Sequence, residues 1–149
     1  MRAVVQRVSQ ASVAIHGKTV GQIGQGSLVL LGVEDGDAEK DWFYIADRTA
    51  HLRIFDDGDG KMNRSLLDIC GSMLVISQFT LLGDARNGRR PSFITAARPE
   101  TAIPIYEKMV TDWQGMGIRV ETGQFGAHMD VSLINDGPVT ILLDSRKRF

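Results

Sequence analysis

The sequence predicts an α/β fold: one layered domain over residues 1–149, with mixed β-sheets and two main helices in the order ββ(β)–α–β–α–βββ. Three observations predict it. Residues 28–33 and 73–76 are unbroken apolar runs, too short for helices and suited to central strands covered on both faces. Two further stretches carry apolar residues at helical spacing. Much of the remainder alternates in steps of two, as half-buried strands do.

Each element follows in order. Val4, Gln6 and Val8 point one way and Ala3, Val5 and Arg7 the other. Val13 and Ile15 continue the alternation up to His16-Gly17-Lys18, which reads as a hairpin turn. Gly24-Gln25-Gly26 then opens the first apolar run. Asp37 is a good N-cap for a helix carrying Trp42, Ile45, Thr49 and Leu52, with Phe43 and Ala46 beside them. That helix is expected to end before Phe55, where Asp56-Asp57-Gly58-Asp59-Gly60 makes a loop. The second apolar run leads into Ser77-Gln78-Phe79-Thr80-Leu81. Residues 83–98 form a long polar loop, a length that points to function. Ile103, Tyr106, Met109, Val110 and Trp113 mark the second helix. With Thr101 as its N-cap, Pro104 falls in the first turn, where a missing N–H is tolerated, and Gly115 and Gly117 close the helix. Strands return at 118–120, 129–134 and 139–143, the last two joined by Asn135-Asp136-Gly137-Pro138.

Composition removes several functions. Lys and Arg total 17 against 18 Asp and Glu, a net charge of -1 that argues against a protein devoted to gripping a phosphate backbone, though not against a local patch. The 43% hydrophobic content and length of 149 residues suffice for a core without disulfides. The single Cys70 suits a reducing compartment. Early charge disfavours a signal peptide, and no apolar run approaches the ~20 residues of a membrane span, so a cytoplasmic location without membrane contact is expected. His16, His51 and His128 lack metal-ligand spacing, and neither a metal nor a cofactor is expected. A calcium-loop register on residues 55–60 would put Phe55 at the first ligand position. The glycines at 21–26 lack the order of a dinucleotide loop and precede a strand. There is no Walker A motif and no nucleophile elbow.

Three segments remain. Ser77-Gln78-Phe79-Thr80 puts polar residues directly after a buried strand, where α/β folds carry ligand sites. Its backbone N–H groups could stabilise an oxyanion, or its hydroxyls could simply cap the strand end. Gly137-Pro138 is a plain turn or a cis pair that presents its carbonyls to one side. The loop holding Arg86, Arg89 and Arg90, followed by Arg98, has Asp84 as its one acid and Phe93 as an aromatic neighbour. It is a solvated face or a phosphate-binding patch.

These residues resemble a known family. Ser77-Gln78-Phe79-Thr80-Leu81 is similar to the SQFT(L) signature of D-aminoacyl-tRNA deacylases, and Asn135-Asp136-Gly137-Pro138-Val139-Thr140 to their NDGPVT signature. Gln6-Arg7-Val8, residues 28–33, Gly60-Lys61-Met62-Asn63, Arg90-Pro91-Ser92-Phe93 and residues 129–133 extend the resemblance over nearly the whole chain. Only the charged tail, 144–149, looks like an individual extension.

The resemblance implies hydrolysis of the ester between a D-amino acid and the 3′-terminal adenosine of tRNA, with glycine removal as a second activity. It also implies a homodimer with active sites at the interface. Gly137-Pro138 is then a cis pair inserted into the partner's pocket, where its carbonyls capture the substrate amino group and an L side chain clashes. Ser77, Gln78, Phe79 and Thr80 form the catalytic segment, Met129 joins Gly137 and Pro138 in substrate binding, and Arg86, Arg89, Arg90 and Arg98 are expected to contact tRNA. Arg146, Lys147 and Arg148 add positive charge at the tail. A nucleophilic Thr80 needs a base, and no His, Lys or Asp lies near it in sequence. Assistance by the substrate's own 2′-hydroxyl is the favoured route. The rival readings are a deacylase for L-alanine, whose members carry a different tetrapeptide at 77–80, a nucleic-acid-binding module without catalysis, and a small-molecule hydrolase.

Overall fold

One long strand organises the sheet. In a computed structural model describing residues 1–149, the elements are β1 (Arg2–Ile15), β2 (Lys18–Ile23), β3 (Gly26–Gly32), α1 (Glu39–His51), β4 (Phe55–Asp56), β5 (Met62–Arg64), β6 (Ser72–Ser77), a 3-10 turn (Phe79–Leu82), α2 (Pro99–Gly115), β7 (Arg119–Thr122) and β8 (Asp130–Asp144). β1 pairs antiparallel with β3 along residues 2–8 and with β2 along 11–15, while β8 runs antiparallel along its other edge. β6 and β7 continue from β3 as parallel neighbours. The mixed sheet curls into a near-barrel: a Cβ at Gly21 on β2 would lie 2.8 Å from the Thr122 carbonyl on β7.

The two apolar runs are β3 and β6, and both are covered on both faces. Val29, Leu31, Met73 and Val75 face a core shared with the helices. Leu28, Leu74 and Ile76 face a second core inside the curl, with Val8, Val13 and Ile23. The fully buried Trp113 joins the helices, its Nε1–H donating to the Ala46 carbonyl at 3.1 Å and to Thr49 Oγ1 at 3.0 Å. No helix is long and apolar enough to cross a membrane.

Four local expectations are corrected. The cap of α1 is Ala38, whose N–H donates to the Asp41 carboxylate at 2.9 Å. Asp37 is recruited elsewhere, accepting the Met1 ammonium and the Glu34 N–H, each at 2.7 Å. α2 begins at Pro99, earlier than a Thr101 cap requires, because a proline at the first helical position needs no N–H partner. Pro104 therefore lies inside the helix. Residues 55–64 form a small β4–β5 hairpin, closed by Asp57, which accepts the Asn63 amide at 2.7 Å and the Lys61 N–H at 3.0 Å. The 129–134 and 139–143 strands are parts of one strand, β8, so Asn135-Asp136-Gly137-Pro138 is no hairpin turn. The His16-Gly17 turn is as expected, with φ of 51° and 76° at its two residues, the geometry that matches strand twist in tight hairpins.

The tail's arginines do not form a free basic patch. Arg148 forks onto Glu34 at 2.8 and 2.6 Å and also reaches Asp144 at 2.8 Å. Arg146 lies 3.5 Å from Glu34 and 3.4 Å from Asp37. Burial pushes the Glu34 and Asp144 carboxyls up, but the Arg148 hydrogen bonds and neighbouring positive charges outweigh it and hold both below the usual carboxylate range. A carboxyl more acidic folded than unfolded stabilises above its unfolded pKa, and that contribution is lost as pH falls through the folded value. Thermal stability is therefore expected to hold from neutral pH to about pH 5 and to drop below about pH 4. Glu34→Gln lowers the neutral-pH melting temperature and flattens the acid limb. Parallel acid limbs in parent and variant, followed by circular dichroism, would contradict this.

Candidate active site

The chain turns sharply where β6 ends, with Ser77 opposite Leu31 of β3. Gln78 N–H donates to the Leu31 carbonyl at 2.8 Å, the last bond to β3, and residues 79–82 then fold into the 3-10 turn. The first N–H groups of such a turn have no acceptor within it. Beside it opens a cleft of about 250 Å³, bordered by Ser77, Gln78 and Phe79 on one bank and by Met129 and the 125–128 segment on the other. Residues far apart in sequence are thus brought together. Thr80 stands at the exposed rim and does not line the cleft. Its hydroxyl accepts a hydrogen bond from the Gln78 side-chain amide, a group that cannot take a proton from it.

Phe79 couples this turn to the basic loop. Its ring, 56% exposed, meets Phe93 edge to face at 5.2 Å. The loop is pinched by reciprocal backbone bonds between Asp84 and Ser92, both 2.8 Å, which leave Arg86, Arg89 and Arg90 exposed at its tip. Arg86 bonds Asp84 at 2.9 and 2.6 Å, and that pairing holds the Asp84 carboxyl well below the usual range. Arg89 and Arg90 are the freer charges. Arg98 is exposed at the start of α2, next to Ala97, which lines the cleft.

Gly137 and Pro138 lie elsewhere. Val8 of β1 pairs with Asn135 and Gln6 with Thr140, so residues 136–139 stand opposite Arg7 alone and are extruded from the ladder. Asn135 closes the extrusion: its Oδ1 accepts the Val139 N–H at 2.8 Å and its Nδ2 donates to Thr140 Oγ1 at 3.1 Å. Gly137 has φ 142°, and a Cβ there would lie 2.8 Å from the Val139 side chain. The Gly137-Pro138 peptide bond is cis. Both residues are exposed, and neither lines the cleft of its own chain.

Sequence reasoning missed several residues. Arg7, one of the alternating strand residues, is buried; its Nε donates to the Asp136 carbonyl at 2.7 Å and its Nη1 to the Ile54 carbonyl at 2.7 Å. An arginine continuing the alternating face of the apolar Ala3 and Val5 is the signal the sequence offers. Tyr106, read only as part of a helical stripe, borders the cleft and donates to the Val75 carbonyl at 2.8 Å, and burial pushes its hydroxyl pKa up. Phe125 packs edge to face on Tyr106 at 6.1 Å, and glycines at 123 and 126 flank it in sequence. His128, on the same bank, is exposed.

Residues 4–144 match the family model described as D-Tyr-tRNA(Tyr) deacylase. A D-aminoacyl-tRNA deacylase of Desulfitobacterium hafniense is 57% identical over 149 residues, all of both chains. One of Thermus aquaticus is 55% identical over 148 residues, covering 99% of this chain and 97% of its own. Among solved structures, a c-Myc DNA unwinding element binding protein superposes with a TM-score of 0.91 at 38% identity, over 97% of this chain and 98% of its own. A probable eukaryotic D-amino acid tRNA deacylase superposes at 0.81 with 17% identity, over 96% and 98%, and shares the fold.

Asn135→Ala removes the acceptor that closes the extruded segment. The Val139 amide is expected to exchange with solvent roughly tenfold faster, with about 1 kcal/mol lost in global stability. Unchanged exchange at Val139, followed by NMR, would show that other contacts hold the segment.

Proposed function

The chain belongs to the D-aminoacyl-tRNA deacylase family, and from that premise we propose how its site selects and hydrolyses its substrate. It is an ester hydrolase of tRNA proofreading that removes D-amino acids from tRNA. The observation that carries the proposal is a separation: the cleft holds the 77–79 segment and Met129, while Gly137 and Pro138 protrude on another surface of the same chain. A site using both needs two copies. Ile134 and Leu142, 53% and 59% exposed on the strand bearing the extruded segment, support a homodimer formed through this face.

In the proposed site, N–H groups of the 3-10 turn hold the scissile carbonyl and stabilise the oxyanion as water adds to the acyl carbon. The tRNA 3′-oxygen leaves with a proton, giving free tRNA and the D-amino acid. The substrate's 2′-hydroxyl positions the water, a role supported by the Gln78–Thr80 pairing, which supplies no base to activate Thr80. Gly137 and Pro138 of a second copy present carbonyls to the substrate amino group beside Met129, and an L side chain collides with them. Because selection works by collision, glycine passes and is removed as well. Arg89, Arg90, Arg98 and, less freely, Arg86 meet the phosphates of the acceptor end, at a cytoplasmic site of action and without metal or cofactor.

Three measurements test this reading. D-Tyr-tRNA and Gly-tRNA are expected to release amino acid while L-Tyr-tRNA does not; binding without release would favour a nucleic-acid-binding module. Thr80→Ala is expected to keep kcat within about tenfold of the parent, and complete loss with tRNA binding intact would assign it the nucleophile's role. Pro138→Ala in a folded dimer weakens D-over-L discrimination or abolishes turnover; unchanged selectivity would refute the gate.

A further inference from the structure

The charged tail, which has no place in the chemistry above, converges with Arg2 on the back of the active-site turn. Arg2 Nη1 donates to the carbonyl of Leu81 at 2.8 Å, inside the 3-10 turn that carries Phe79 and Thr80. Its Nε donates to Asp144 Oδ2 at 3.2 Å, and its guanidinium carbon lies 5.9 Å from the centre of the Phe149 ring. Asp144 is itself fixed, accepting Arg148 Nε at 2.8 Å and the Arg146 N–H at 2.7 Å. Arg148 carries the network on to Glu34. The backbone of Glu34 bridges Ala96, and the Ala97 N–H donates to the Val33 carbonyl at 3.0 Å, next to the cleft that Ala97 lines.

A four-residue turn is a weak holder of its own geometry. Its internal bonds are few, and its exposed residues bury little surface to oppose rotation. A charge-assisted hydrogen bond from a guanidinium already oriented by a carboxylate and an aromatic ring supplies that restraint at small entropic cost.

We propose that Arg2 is a positioning residue for deacylation: held by Asp144 and Phe149, it fixes the Leu81 carbonyl and so aims the turn's N–H groups at the scissile carbonyl. This rests on the role proposed above for that turn. Misaimed oxyanion donors lower the chemical step more than binding, so the signature is a split between kcat and KM.

The test compares Arg2→Met, Arg2→Lys and Trp113→Phe in the full chain on D-Tyr-tRNA, below the melting transition of each. Arg2→Met is expected to lower kcat roughly tenfold with KM within about twofold, and Arg2→Lys, which keeps a donor for Leu81, to recover most of it. Trp113→Phe, which loosens the helix contact, is expected to lower the melting temperature and leave kcat unchanged. In amide spectra, resonances of residues 78–82 shift in Arg2→Met and stay in place in Trp113→Phe. An Arg2→Met enzyme with parental kcat and unmoved turn resonances would overturn the proposal. So would an equal loss of kcat in Trp113→Phe. A parent that releases no D-tyrosine would instead overturn the deacylation mechanism, while the resonance shifts still decide whether Arg2 positions the turn.

Discussion

The fold depends on the pairing of β1 along both of its edges. One edge carries β3, and β3 carries β6, at whose end the chain folds into the turn of the proposed active site. The other edge carries β8, and the mismatch opposite Arg7 on that edge extrudes Gly137 and Pro138. The same strand therefore positions both halves of the proposed chemistry, one through each ladder. Because strand registers are set by which face is buried, neither half can slide without moving Val5 or Val8 out of the core.

Rigid backbone suits a reaction with so little side-chain chemistry. The ester of an aminoacyl-tRNA is already labile, and positioning with oxyanion stabilisation covers much of what hydrolysis requires. Neither the turn's N–H groups nor the carbonyls of Gly137 and Pro138 have rotamers to lose on binding. The paired arginines serve the same end. Arg7 ties the extruded segment to Ile54, and Arg148 and Arg2 tie the tail to the turn. The near-neutral average of charge hides this division: Arg7, Arg146 and Arg148 are paired within the fold, while Arg89, Arg90 and Arg98 are exposed and, in the proposed site, meet the tRNA phosphates.

What could be read from the residues follows a physical division. The apolar runs at 28–33 and 73–76 are strands because a continuous run of that length has one good burial, and the helical stripe with Tyr106 and Trp113 lies in the core for the same reason. Ser77, Gln78 and Phe79 stand beside Met129 in a cleft at a strand end, while Thr80 is left at the exposed rim. The misreadings involve partners distant in the chain. Asp37 looked like a cap until Met1 claimed it, and Asn135-Asp136-Gly137-Pro138 looked like a turn because nothing local shows that β1 continues beneath it. Arg146 and Arg148 read as free charge for want of any local sign of Glu34.

The proposed sharing of one site between two copies is tested most directly by complementation. A cleft-defective Phe79→Ala chain and a gate-defective chain lacking Gly137 and Pro138, each inactive as a homodimer, are mixed, unfolded and refolded together. A shared site predicts that mixed dimers regain one intact site, so D-Tyr-tRNA turnover recovers to roughly a quarter of the parent value at equal protein. Mixed dimers that form and stay inactive would contradict it.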